Sequence, residues 1–521
     1  MRPRRASRIE RQYYTQRTRK SILQQGEDPM TKYLCIALLL TMAVSASADR
    51  LVRIGGIDSE TPLQLLADGY DVTAGNIRQG WVDVYVEDES AASILTRYGS
   101  DVRVLPREWG ELLPENSRDA GYFYDLEENW SFWCNLAVSY PDLADTPVVV
   151  GQSYENRDIY TITMTSSSGP ADKPTLYFSA LIHAREPSGN SVLIDYAQWL
   201  ADEYGSDTMA TFILDNAEVH FLPIANPDGY QENMPGGGYH RKNMNFSDPV
   251  PSDGIDLNRN WPYKWGYDDS GSSGNPYDET YRGESPASED ETQVQMDYID
   301  DIAPLAAMNY HSYGGYLLYP WGYNNTPTPD QTTFEGWGAQ MTQYNGYEYG
   351  RAGQILYVVN GEQNDYCYSD TAGSPSVMAM TPEINNGGFW GGQSDTTAIE
   401  EFCEECRYMN IMICMNALDM VGIEGAESYT IEPSLFLGSV HPNPVPAGAM
   451  QFGVTAPAGQ PVSLELYDMA GRRAADLGSV KGSGNPASVF RAVPDDLPSG
   501  VYMLVAEGAG QVRQQRVTVL R

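Results

Sequence analysis

The chain has 521 residues and a formal charge of −37, with 33 Lys and Arg against 70 Asp and Glu. That balance excludes a nucleic-acid binder, because phosphate would be repelled. A hydrophobic share of 41% with 36 Tyr and 10 Trp excludes global disorder, and the length accommodates roughly two to four domains.

Residues 1–48 read as an address. An Arg-rich stretch over 1–29 precedes Met30-Thr-Lys32, an apolar run from Tyr33 to Val44 and the small-residue segment Ser45–Ala48, the pattern of a signal peptide with its cleavage site. The apolar run is too short to cross a bilayer, so the expectation is a secreted or cell-surface protein with no stable membrane span. Five cysteines follow, an odd number, which leaves at least one thiol free or paired between chains. Cys403 and Cys406 fall in a helical pattern over Ala398–Val421 and lack the further ligands of a structural zinc. They read as buried small residues or as one disulfide with a distant partner.

Residues 49–114 alternate in a βαβαβ manner. Leu51–Ile57 and Trp81–Val86 show the two-residue strand period, Ser90–Tyr98 a short helix and Asp101–Leu105 a return strand. Nothing in this small α/β domain carries chemistry; it suits a pro-segment or a packing module. Residues 115–422 continue the alternation, with apolar runs at Val148–Val150, Ile159–Met164, Thr175–His183, Val219–Ile224, Leu305–His311 and Val377–Ile384. The fold class expected is α/β, a central mixed sheet flanked by helices. After a linker at 423–433, residues 434–521 change to short strands between turns (Gln451–Val454, Val462–Tyr467, Val501–Ala506, Val512–Leu520), an all-β sandwich with one histidine and no cysteine.

Three of the runs in the middle region end alike. His183 closes one, His311 a second and Glu383 a third, and a helix is expected over Ser191–Glu203, beyond Pro187 and Ser188. If these strands are parallel neighbours, their carboxyl ends meet in one crevice, where open α/β sheets bind ligands. Only five histidines exist, His183, His220, His240, His311 and His441. Zinc hydrolases use three protein ligands and leave the fourth position for water, and His183, Glu186 and His311 suit that set. Water activated there needs a base, for which Glu383 is the candidate. Between the histidines, Arg241 and Asp256-Leu-Asn258-Arg259-Asn260 form a polar loop suited to an anion, since guanidinium matches carboxylate. Surface ion pairs with nearby Asp and Glu are the plainer alternative.

Taken together, His183-Ala-Arg-Glu186, Asn226-Pro-Asp-Gly-Tyr230, Arg241-Lys-Asn243, Asp256-Leu-Asn-Arg-Asn260, Tyr310-His-Ser-Tyr313, Leu318-Tyr-Pro-Trp-Gly-Tyr323 and the Tyr357–Asp365 and Glu383 segments resemble, in this order, the zinc metallocarboxypeptidases of the carboxypeptidase A/B/T type. The resemblance covers about residues 115–422. It implies that His183, Glu186 and His311 bind one Zn2+, that Asp256 orients His183, and that Glu383 is the general base. It further implies that Arg241 stabilises the oxyanion, Asn258 and Arg259 hold the substrate's free C-terminal carboxylate, Tyr357 closes over the bound residue, and Arg185 contacts the peptide further along. Asn364 stands at the base of the specificity pocket, where relatives carry an aliphatic side chain or an aspartate, so side-chain preference stays open. Met244-Asn245 and the stretch Phe246–Asp253 also depart from the pattern.

The tail's Pro442-Asn-Pro444, Tyr467–Arg472 and Leu497–Tyr502 are similar to sorting domains of the type IX secretion system, which implies that machinery as a partner. Expected substrates are peptide or protein C-termini. A peptidase of the same fold acting on cell-wall peptides and a non-catalytic peptide-binding module stay as alternatives.

Overall fold

The computed structural model describes residues 50–86, 94, 97–98, 102–104, 123–234, 238–246, 253–369, 376–384, 388–390, 396–426, 436–437, 440, 445, 449–468, 471–483, 487–494, 497–508 and 510–519. The signal-peptide reading, His441, Pro442–Pro444 and most of Phe246–Asp253 lie outside them.

The central sheet has eight strands: β5 Val148–Gln152, β6 Asp158–Met164, β7 Thr175–Ala180, β8 Glu218–Leu222, β9 Ala306–Ser312, β10 Tyr316–Tyr319, β11 Glu348–Arg351 and β12 Met378–Ile384. Their order is β11-β10-β12-β9-β7-β8-β6-β5. The inner four, β12, β9, β7 and β8, run parallel, and antiparallel strands flank them, so the sheet is mixed as the pattern predicts. Parallel strands covered on both faces must be apolar throughout rather than alternating. That is why Leu176–Ala180 and all seven residues of β9 are buried. Helices cover the sheet. The long C-terminal helix Thr396–Met420 packs on the helix Ser188–Glu203, where Arg407 pairs with Asp195 at 2.7 Å. Phe178, Tyr196, Leu200, Phe221 and Met409 share one apolar core. Each such side chain contributes about 1.5–3 kcal/mol by leaving water.

Two details correct the sequence reading. β7 stops at Ala180, because Leu181 takes φ +57° and turns the backbone out of the strand. His183 therefore sits on a loop, and the helix behind it starts at Ser188 rather than Ser191. No disulfide forms among the described residues: Cys134, Cys367, Cys403, Cys406 and Cys414 are free thiols.

Four described strands, β1 Arg50–Gly55, β2 Asp71–Asn76, β3 Trp81–Val86 and β4 Val102–Val104, form an antiparallel sheet in the order β2-β3-β1-β4. β2 was not foreseen, since Thr73 and Gly75 interrupt its apolar pattern. This sheet shares an apolar core with the central domain, where Val52, Ile54, Val82 and Val84 meet Tyr316, Leu318, Ile355, Leu356 and Tyr357. Beyond residue 435, strands Phe436–Leu437, Ala449–Thr455 and Ala487–Ala492 form one sheet, and Pro461–Asp468, Arg473–Lys481, Gly500–Gly508 and Gln511–Val519 a second. Phe452 and Val489 of the first pack with Leu464, Leu504 and Val517 of the second, a β-sandwich. Among the described residues no helix is long and apolar enough to cross a membrane.

Candidate functional site

β7, β9 and β12 are adjacent and parallel, so their carboxyl ends open on one side, and Glu383 stands in register with His311. The His183 loop is fastened there by Asn226. Its amide nitrogen donates to the carbonyls of Ile182 (3.3 Å) and Lys242 (3.1 Å), while its oxygen accepts from Gly229 N at 3.0 Å. Gly189, in the first turn of the helix after Glu186, allows that turn to press on the sheet. A Cβ added there would lie 2.7 Å from Tyr310 Cβ and 3.1 Å from Ala180 Cβ.

These constraints bring His183, Glu186 and His311 together. Their nearest ligand atoms lie within 4.8 Å of one another, and all three residues are buried. His183 Nδ1 is 3.0 Å from Glu186 Oε1, His311 Nδ1 is 2.9 Å from Glu186 Oε2, and the two Nδ1 atoms are 3.0 Å apart. His183 Nε2 faces Asp256 Oδ1 at 3.2 Å, which places the ring proton on Nε2 and turns the Nδ1 lone pair into the cluster. The Asn309 and Asn258 amides flank His311 Nε2 at 3.0 and 3.3 Å.

Two imidazole lone pairs and a carboxylate aimed at one point repel one another unless a cation sits among them. Ligand atoms on a tetrahedral zinc stand roughly 3.3 Å apart at its usual bond lengths, close to the spacing found. The donor set fits zinc. The electrostatics agree in sign. Burial opposes ionisation of Glu186, yet the His183 and His311 rings pull its pKa below the ordinary carboxylate value. Burial and then the His183 ring push His311 down to about 4, which keeps the imidazole neutral.

Around this cluster stand the other candidates. Burial opposes ionisation of Asp256 too, but Arg241, Arg259 and His183 hold its pKa well below normal. It accepts Arg241 Nη2 at 2.9 Å and Nε at 3.1 Å on the oxygen that His183 does not use. Arg241 Nη1 lies 3.8 Å from Glu186. Glu383 is raised well above the ordinary carboxyl range, by loss of water first and then by Glu186, against the pull of Arg241 and Arg259. Arg259 is 2% exposed. Its Nη1 donates to Asn258 O at 2.7 Å, its closest carboxylate oxygen is Asp256 Oδ2 at 4.0 Å, and its Nε has no partner. Asn258 and Asn364 are buried, Asn364 in the first turn of the short helix Gln363–Tyr368.

The structure also shows partners that no motif signalled. Arg185 makes two hydrogen bonds to Asp71 of the N-terminal sheet, at 2.5 and 2.9 Å, and lies over Phe389. Tyr357 Oη donates to Val72 O at 3.5 Å, and Tyr313 Oη to Asp83 at 3.1 Å. Asn309, beside His311, and Asn226 were likewise unassigned by the sequence reading. For Asn226, the cue was its place ahead of Pro227 as a helix cap.

Comparison with known proteins places this geometry in context. The family model described as zinc carboxypeptidase matches residues 130–409. Carboxypeptidase A1 of Rattus norvegicus is 29% identical over 264 residues, 49% of this chain and 62% of that protein. Carboxypeptidase A2 of Mus musculus is 30% identical over 300 residues, 55% of this chain and 70% of that protein. The chain thus spans about three fifths of the length of the first curated relatives it matches. In fold it is similar to the crystal structure of carboxypeptidase A from Helicoverpa armigera, with TM-score 0.61, 22% identity, and 71% of this chain and 98% of that one covered. It is similar also to that of thrombin activatable fibrinolysis inhibitor, with TM-score 0.59, 21% identity, and 72% and 100% covered.

Proposed function

The chain belongs to the zinc carboxypeptidase family, and from that premise we propose that it is a secreted exopeptidase that hydrolyses the last peptide bond of peptides and proteins. The observation that carries the reading is the convergence of His183, Glu186 and His311 beside Arg259, a buried guanidinium with an unused Nε. His183, Glu186 and His311 would hold zinc, which supplies Lewis acidity toward water and the scissile carbonyl. Arg259, with Asn258, takes the substrate's C-terminal carboxylate and so restricts the site to chain ends. Glu383 removes the proton from the attacking water and returns it to the leaving amine, a role suited to a carboxyl whose pKa is raised. Arg241 faces the carbonyl oxygen as negative charge develops on it. Tyr357 closes over the bound residue, and Arg185 engages the peptide further from its end.

Residues 50–104 are read as an inhibitory cover. Asp71 occupies the Arg185 fork, and Val72 holds the Tyr357 hydroxyl. Most of the site residues are buried beside this sheet, with His183 3% and Arg259 2% exposed, and Glu383 is half-buried. Secretion rests on the Met30–Ala48 pattern, and sorting by a type IX system on the turn motifs of the sandwich.

The test is release of C-terminal amino acids from a mixed peptide pool, read by mass spectrometry, with the full chain and its Asp71→Ala form. Release should stop on dialysis against chelator and return with zinc, and C-terminally amidated peptides should resist. Activity that survives exhaustive chelation, or cleavage of amidated and free peptides alike, would refute the reading.

A further inference from the structure

The peptide Gly361-Glu362-Gln363 carries a buried acid that the reaction above does not use. Glu362 precedes the helix Gln363–Tyr368 at its capping position, yet its side chain makes no cap hydrogen bond. It is 9% exposed, and its carboxylate has neither a hydrogen bond nor an ion pair with any described residue. A buried acid left this way is held in its neutral form: burial and then Asp365 raise the Glu362 pKa well above the ordinary carboxyl value, against the pull of Arg259, and only a cation brought beside it would favour the charged form. Its neighbour Asp365, by contrast, is spent, accepting from Gly322 N at 2.8 Å and Tyr323 N at 3.0 Å.

The surroundings are shaped to keep that carboxylate in place. A Cβ on Gly322 would fall 1.8 Å from Glu362 Oε1, so only glycine there leaves the oxygen its position. Gly361, at φ +68°, presses against the backbone of Arg259, where an added Cβ would lie 2.4 Å from the Arg259 carbonyl. The loop is thereby tied to the residue proposed to bind the substrate's α-carboxylate. Arg259 and Glu362 lie within electrostatic reach of each other, and Glu383 feels Glu362 as well. Even so, no Arg259–Glu362 ion pair within bonding distance forms.

A buried guanidinium and a buried acid, each with unused bonding capacity and separated rather than paired, match a ligand that brings a carboxylate to one and a cation to the other. A free amino-acid end with a cationic side chain is such a ligand. We infer that Glu362 receives the ammonium or guanidinium of a C-terminal Lys or Arg while Arg259 holds its α-carboxylate, so that this chain removes basic C-terminal residues in preference to apolar ones. The inference rests on the exopeptidase reading and adds the substrate class to it. Asn364, two residues on, is buried and carries no charge.

The experiment compares kcat/KM on peptides identical except for a last residue of Lys, Arg, Leu or Phe. It uses the zinc-loaded full chain and its Asp71→Ala form. Lys and Arg peptides should be favoured over Leu by at least about tenfold, as expected when one buried charge reads another. Glu362→Gln should lower the Lys-to-Leu ratio about tenfold or more, mainly through KM, and Glu362→Asp should keep Lys ahead of Leu. Zinc content measured on each variant confirms an intact site. Chelator-sensitive release that favours Leu or Phe in the parent, or a ratio that moves less than about threefold in a zinc-replete Glu362→Gln, overturns the inference and leaves the exopeptidase reading standing. If no peptide loses its last residue in either form, the exopeptidase reading fails and this inference with it.

Discussion

Glu383 is the side chain on which the proposed chemistry turns. It stands beside His311 across two parallel strands, half-buried, with Glu186 opposing its charge and Arg241 and Arg259 supporting it. A carboxyl so placed is a better proton acceptor than one in water, and general bases contribute about a hundredfold or more. Glu383→Gln should therefore lower kcat at least about a hundredfold while zinc content, measured by atomic absorption, stays at one per chain. Near-normal turnover in a metal-replete variant would place the base elsewhere. Arg259 should behave differently. Its alanine variant loses the carboxylate fork and should chiefly raise KM for free-carboxylate peptides, a split that steady-state kinetics on one peptide series would reveal.

At the scale of the element, the loop holding Arg241 is anchored by a helix it never joins. Glu289 and Glu291 open the helix Asp290–Ile302; Glu289 accepts Asn243 Nδ2 at 2.7 Å and Asn245 Nδ2 at 2.9 Å, and Glu291 accepts Asn243 Nδ2 at 3.3 Å. Burial pushes the Glu291 pKa up to about 7. An acid whose folded pKa exceeds its unfolded value holds more protons when folded, so this group's stabilisation is full below the unfolded pKa and declines as pH rises through about 7. Glu291→Gln, a neutral mimic, should raise the unfolding temperature by about 2–4 °C at pH 8.5 and change it little at pH 4.5. Calorimetry at both values decides, and an equal effect at both would discount the ionisation. None of this was visible in the sequence, where Glu289 and Glu291 look like ordinary first-turn acids. Strands with long apolar runs, β7, β9 and β12, were legible because burial on both faces leaves a continuous signal. Their convergence was legible too, since His183, His311 and Glu383 each stand at or just beyond a run's end. β2, β10 and Arg473–Lys481 were missed, being short, Gly-containing or mostly polar, and they gain their place from neighbouring strands rather than from their own pattern.

At the scale of the whole molecule, the N-terminal sheet meets the central domain through contacts whose partners lie far apart in sequence. Asp71 and Arg185 are 114 residues apart, and no local pattern announces the pair. Arg185 is 1% exposed, so its charge depends on Asp71, with Glu279 at 3.7 Å as a secondary neighbour. Removing one partner of a buried pair costs roughly 3–5 kcal/mol, because the other is left uncompensated out of water. If the sheet lifts as the proposed cover requires, Arg185 then regains water, and the penalty in Asp71→Ala falls only on the covered state. The Tyr85–Tyr239 stack (4.6 Å), the Arg53–Asp83–Tyr313 contacts and the Glu348 pairing with Asn76 and Arg78 remain and still favour closure. The substitution should accordingly raise the initial rate of the full chain on a saturating peptide at least about tenfold without changing which residue is released. Added salt should imitate it only weakly, because screening acts little on a buried pair. Equal initial rates for parent and Asp71→Ala chains, both zinc-replete, would mean that the sheet over Arg185 is packing alone and that peptides reach the cleft by another side.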